Sequence, residues 1–293
     1  MPSIWVELMG TETKVYEGKF RTRVIEAGEG VPLILVHGVG GHAEAYTRNI
    51  LKLANQGFKV MSIDLLWHGL SGTPEFDPET YCLQFADQIV DLLDLVGAEK
   101  GHIEGESLGG WVALSTALRY PDRVGKIVLN TTAGVRWNEQ SQMRVDYVGG
   151  SDALIERSLA AIRDPNKETV RKRLEWLMAS PDRVTDELVD LRMALYANPS
   201  LNKALEDVFT NGLGIGKNRN QYLTEEEVAS IKHPTLVFWS DKNPGQGPDV
   251  GEKIASLIPG SEYYCMMDAA HWPQWEHPEE HDRVVADFLN KSA

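Results

Sequence analysis

Ser107 stands in Gly105-Glu106-Ser107-Leu108-Gly109-Gly110, after the short apolar run His102-Ile103 and before Trp111 to Ala117, which reads as a helix. Strand, sharp turn and helix in that order form a nucleophile elbow. The glycines leave room for a turn too tight for side chains, and the turn lifts the hydroxyl above the sheet. A serine hydroxyl is a poor nucleophile until a base takes its proton, so a histidine is required late in the chain, on a loop after the last strand. His271 fits, following the candidate strand Glu262 to Met267 and preceding a helix that begins near Pro278. His277 and His281 lie in an acidic stretch that reads as a solvated face.

Acyl transfer passes through an oxyanion, which needs N–H donors aimed at it. Leu108 supplies one amide, and Val39 or Gly40 in His37-Gly38-Val39-Gly40-Gly41, directly after the apolar run Leu33 to Val36, supplies the other. The same glycines read as a phosphate loop lack the P-loop lysine, and Asp64 lies too far along to be the acidic residue of a dinucleotide site.

Short, mostly apolar runs at Leu33–Val36, Val60–Ile63, Lys126–Leu129 and Thr235–Trp239 have the pattern of parallel strands buried on both faces. Helical spacing separates them, as at Phe85, Ile89, Leu92 and Leu93 before Gly97, so a mostly parallel sheet with helices on both faces is expected. Partial alternation from Lys19 to Glu26, followed by Gly28-Glu29-Gly30 as a turn, predicts an antiparallel strand pair near the N-terminus. From about Gly134 to Lys232 the strand signal disappears and Leu, Arg, Glu and Ala recur at helical spacing. This predicts a core of residues 1–133 and 233–293 with a helical cap, 134–232, inserted over one end of the sheet.

The 293 residues carry a formal charge of −14 and only two cysteines, Cys82 and Cys265. Nucleic acid is thereby disfavoured, since phosphate backbones are held by clustered Lys and Arg. The cysteines, far apart and expected to be buried, suggest neither a disulfide framework nor a metal site. No apolar run approaches the roughly 20 residues of a membrane span, and the first residues lack a signal-peptide pattern. A cytoplasmic protein acting on a small molecule is expected, its oligomeric state left open and a homo-oligomer allowed.

His37-Gly38, Asp64-Leu65-Leu66-Trp67-His68-Gly69-Leu70-Ser71, the elbow, Tyr120-Pro121-Asp122-Arg123-Val124 and above all His271-Trp272-Pro273-Gln274-Trp275-Glu276-His277-Pro278 carry a likeness over nearly the whole chain. On these motifs it resembles the meta-cleavage product hydrolases, carbon–carbon bond hydrolases of the α/β-hydrolase fold. The resemblance implies hydrolysis of the ring-opened dienoate left by extradiol cleavage of an aromatic ring: the dienol ketonises, then the weakened bond is hydrolysed. It implies no metal or organic cofactor. It also implies Trp272 beside the reacting carbonyl and an arginine of the cap, Arg192, near the substrate carboxylate.

Two positions depart from the family. Where it reads Trp-Gly-x-x-Asp, this chain has Trp239-Ser240-Asp241-Lys242-Asn243, so the acid position holds an amide. Asn243 is favoured as the partner of His271, with Asp241 and Asp249 as alternatives; an amide can accept from the imidazole but cannot neutralise an imidazolium. Glu106 replaces the usual asparagine before the nucleophile, and with Glu44 it would repel an anionic substrate if both turned inward. A carboxylesterase or lactonase using the same Ser and His is the close alternative, and a non-catalytic ligand-binding protein a more distant one. Haloalkane dehalogenases and epoxide hydrolases share the template but attack with aspartate, which Ser107 argues against.

Overall fold

A computed structural model describes residues 2–138, 152–213 and 221–292. Its centre is an eight-stranded sheet of β1 (Glu12–Glu17), β2 (Arg21–Ala27), β3 (Val31–Val36), β4 (Phe58–Ile63), β5 (Gly101–Glu106), β6 (Val124–Asn130), β9 (Thr235–Ser240) and β10 (Glu262–Met266). The spatial order is β1-β2-β4-β3-β5-β6-β9-β10. Only the β1–β2 and β2–β4 pairings are antiparallel.

The apolar runs are buried on both faces as their composition requires: all six residues of β9 are buried, as are the last five of β3. The helices Tyr81–Leu95 and Leu108–Arg119 pack against the sheet through Phe85, Ile89, Leu92, Trp111 and Leu114. Gly97 ends the first of these at φ 69°, a left-handed C-terminal conformation that glycine adopts without steric cost. The antiparallel pair exists, but its turn is Gly18 to Phe20, with Gly18 N donating to Phe20 O. Gly28 to Gly30 instead leads to β3, which is separated from β2 by β4. Two adjacent glycine-bearing turns flank β2, and alternation alone does not say which one joins paired strands.

The segment expected to be a helical cap contains the helices Asp152–Arg163, Lys167–Glu175, Asp186–Tyr196 and Pro199–Asp207. Strand structure is not absent from it: β7 (Val135–Arg136) and β8 (Leu223–Thr224) pair in parallel across its two ends. Two-residue strands are too short to show a period in sequence. Residues 139–151 and 214–220 of the expected cap lie outside the described residues.

The chain reverses its direction of sheet growth at β3, which has β4 on one side and β5 on the other. The loops after β3 and β5 therefore leave in divergent directions and open a crevice at the carboxyl ends of the strands, the usual ligand position in such sheets. No described helix is long and apolar enough to cross a membrane.

Candidate active site

Ser107 ends β5 and caps the helix Leu108–Arg119 with φ 54° and ψ −113°. A β-carbon on Gly105 would strike the carbonyl of Gly109, and one on Gly109 would strike the carbonyl of Val36. The elbow therefore closes backbone on backbone and presents Ser107 at the crevice.

His271 comes from the loop after β10. Its carbonyl accepts from Thr131 Oγ1 at 2.9 Å, and its amide donates to Leu177 O of the cap segment at 2.9 Å. Its Nδ1 lies 2.6 Å from Asn243 Oδ1, while Asn243 Nδ2 donates to Gln246 O at 3.0 Å. That second bond orients the amide, so its oxygen faces the imidazole. Nδ1 therefore carries the hydrogen and Nε2 keeps the lone pair. Of the three candidates for this contact, Asp241 is engaged by the Ala269 amide and Asp249 is exposed. Burial and then the nearby Arg173 guanidinium push the His271 imidazole down to about 3, so it is neutral at rest.

The base rests beside the carboxyl of Glu106. Nε2 sits 3.1 Å from Glu106 Oε1, a contact whose angles fall short of a hydrogen bond. No hydrogen bond reaches the Ser107 hydroxyl among the described residues. Glu106 Oε2 accepts from the Gly38 amide at 2.6 Å. Burial raises the Glu106 carboxyl to about 8, against the opposing pull of the Gly38 amide, Arg173 and Arg192. At neutral pH the group is mostly protonated, with its hydrogen on Oε1 because Oε2 accepts from the amide. Glu106 thus turns inward, as a mostly neutral acid at neutral pH.

Glu44, the other suspected source of repulsion, is held by Arg23 at 2.6 Å and His42 at 3.0 Å, which keep its carboxyl well below the usual range. Arg23 also reaches Asp64 at 3.2 Å, and Asp64 accepts from the amides of Ala43 and Leu70. This buried cluster ties the Asp64-to-Ser71 motif to the loop after β3. Within that loop Gly41 N donates to Gly38 O, and Tyr196 of the cap segment donates to Gly40 O at 2.9 Å. The amides of Val39, Gly40 and Leu108 donate to no protein acceptor among the described residues. They are available to an oxyanion.

Ser107, Glu106, His271, Trp272, Val39 and Arg173 line a small, partly open cavity of ≈ 20 Å³, room for one or two waters. Arg192 is 1 % exposed, lies 5.2 Å over the Trp272 ring, and has no partner for Nε or Nη2 among the described residues. Arg173 is also buried; its Nε donates to Ser158 Oγ at 2.7 Å and its Nη1 has no partner among the described residues. Sequence reasoning named Arg192 and missed Arg173. The signal was present, since Arg173 falls on the apolar stripe of Val170, Leu174 and Leu177.

A family model described as the alpha/beta hydrolase fold matches residues 31–278. The chain belongs to the α/β-hydrolase fold family. Two relatives are similar over most of its length. A 2-hydroxy-6-oxononadienedioate/2-hydroxy-6-oxononatrienedioate hydrolase of Comamonas testosteroni is 29% identical over 274 residues, 92% of this chain and 91% of the relative. A 2-hydroxy-6-oxo-6-phenylhexa-2,4-dienoate hydrolase of Burkholderia cepacia is 28% identical over 274 residues, again 92% and 91%. The solved 2-hydroxy-6-oxo-6-phenylhexa-2,4-dienoate hydrolase of a Rhodococcus strain superposes with a TM-score of 0.83 at 22% identity, covering 96% of this chain and 99% of that one, a likeness of fold.

Elsewhere in this α/β-hydrolase, His281 is not on a solvated face. It is fully buried, with Nε2 2.8 Å from Glu104 Oε1 and Nδ1 3.0 Å from Asp282 Oδ1. Although burial alone would lower it, the two carboxylates raise its imidazole to about 10. The acidic stretch misled because His281 shares a helical stripe with Val285 and Phe288. Cys82 is buried as expected, whereas Cys265 is only partly so. Among the described residues no group of three or more His, Cys, Asp or Glu could hold a metal ion.

Proposed function

We propose that this protein hydrolyses a carbon–carbon bond in a ring-opened meta-cleavage dienoate. Ser107 is the nucleophile and His271 its base, held in tautomer by Asn243. The amides of Leu108 and of Val39 or Gly40 receive the oxyanion, and Arg192 takes the substrate carboxylate beside Trp272. Ketonisation of the dienol places a carbonyl next to the bond to be broken. Attack there puts charge on the carbonyl oxygen, where fixed amides stabilise it more than water would. The proton taken by His271 then goes to the departing carbon fragment, and water completes hydrolysis by the same route.

The observation that carries this reading is Arg192. A buried guanidinium with two unpartnered donor atoms is costly unless an anion completes it, and a planar fork suits a carboxylate. Neutral esters and lactones offer no such group. Arg173 and Arg192 face Glu106 and offset its charge, which answers the objection that a carboxylate in the site would repel the substrate. The names of the two relatives point the same way. A small-molecule substrate in the cytoplasm, without cofactor or nucleic acid, belongs to the same reading; oligomeric state does not enter it.

The test is turnover of a coloured ring-opened dienoate beside a panel of aryl esters and lactones, with native protein and Ser107→Ala in parallel. Fast loss of dienoate colour that disappears in Ser107→Ala is expected. Efficient ester or lactone cleavage with the dienoate untouched would replace this reading with the esterase one. Binding of ligand without any turnover would replace it with a binding protein.

A further inference from the structure

The His271 imidazole has an amide on one side and a carboxyl on the other. Asn243 meets Nδ1 at 2.6 Å and carries no charge. Glu106 Oε1 stands 3.1 Å from Nε2, held in place by the bond from Gly38 N to Oε2. A β-carbon at position 38 would collide with this carboxyl, so Gly38 is what lets Glu106 settle there. The ordinary distribution is reversed: the acid lies on the side from which the serine proton must arrive.

We propose that Glu106 is the charge partner of His271, a positioning residue whose ionisation switches the base between an unsupported and a supported form. This rests on Ser107 and His271 acting as nucleophile and base, but not on the dienoate being the substrate. While Glu106 is protonated, the imidazolium that proton transfer would create has no anion beside it. Loss of the Glu106 proton puts a carboxylate 3.1 Å from Nε2. As Ser107 Oγ then bonds to the substrate carbon, the carbonyl π pair moves to oxygen, the Oγ–H bond breaks and an Nε2–H bond forms. The imidazolium so produced lies against the Glu106 carboxylate, the negative charge Asn243 cannot provide. Return of the Nε2 proton to the leaving group restores the starting pair.

The charged and titratable groups facing Glu106 are His271 on the loop after β10, Arg173 and Arg192 from the cap segment, and Tyr46 from the turn Ala43–Tyr46. Both arginines favour the carboxylate, whereas burial opposes it and sets the switch near 8.

The experiment follows the rate at which an alkyl fluorophosphonate, which needs an activated serine but no particular substrate class, labels Ser107 from pH 5.5 to 10. Native protein should label about tenfold more slowly for each unit below about 8 and level off above it. Glu106→Ala and Glu106→Gln both remove the charge beside Nε2, so both profiles should lose the rise near pH 8 and lie well below the native one at pH 9.5. Circular dichroism of each variant establishes that it is folded. A native profile already level at pH 7, a Glu106→Ala or Glu106→Gln profile that keeps the native rise, or no labelling at any pH would overturn the proposal. Loss of the rise in both variants without dienoate turnover would sustain it while removing the dienoate reading; dienoate turnover with the rise kept would do the reverse.

Discussion

Replacing Arg192 with methionine should make the protein more stable and a far poorer catalyst for an anionic substrate. In the free protein its Nε and Nη2 are buried without partners. An unsatisfied buried donor costs about 1–3 kcal/mol, so the two together cost about 2–6 kcal/mol. Against this stands the lost contact with the Trp272 ring at 5.2 Å, about 0.5–2 kcal/mol for a cation over an aromatic face. Methionine fills similar volume with an adaptable apolar chain. The difference is a net gain of up to about 5 kcal/mol. The same change removes a charge-assisted contact of about 1.5–3 kcal/mol, a loss of about 10- to 100-fold in kcat/KM for the dienoate. Urea unfolding and steady-state kinetics on one preparation read both quantities. A destabilised Arg192→Met, or one with unchanged kcat/KM for the dienoate, would refute the reasoning that an unpartnered guanidinium awaits an anion.

Arg23→Met should destabilise by about 3–5 kcal/mol, because it leaves the buried Glu44 and Asp64 without their shared cation; a urea midpoint within experimental error of native would contradict it. His281 predicts an alkaline limb of stability. Its pKa is about 10 folded against a usual 6.5, so its contribution is complete below about 6.5 and lost as pH rises through 10. Unfolding of native protein and His281→Leu at pH 7 and pH 10.5 should show a smaller pH effect in the variant.

The chemistry on backbone turns was legible in sequence because tight geometry demands particular residues. Gly105 and Gly109 flank Ser107 for lack of space, and the order of Ser107, Asn243 and His271 followed from strands written as short apolar runs. What escaped was set by packing. Glu104 and Glu106 alternate along β5, a central parallel strand with no solvent-facing side, and a carboxyl at either position must find a buried partner. Glu104 finds His281 and Glu106 finds His271, from elements 177 and 165 residues further on. Composition near each residue carries no trace of so distant a neighbour. For Arg173 and His281 the apolar helical stripe made burial readable, but only the fold says what each side chain meets.

The hydrogen bond from His271 N to Leu177 O makes the covering segment and the imidazole parts of one mechanical linkage. Leu177 also lines the cavity that Ser107 borders, so a change of shape on that wall is transmitted to the backbone that carries the base.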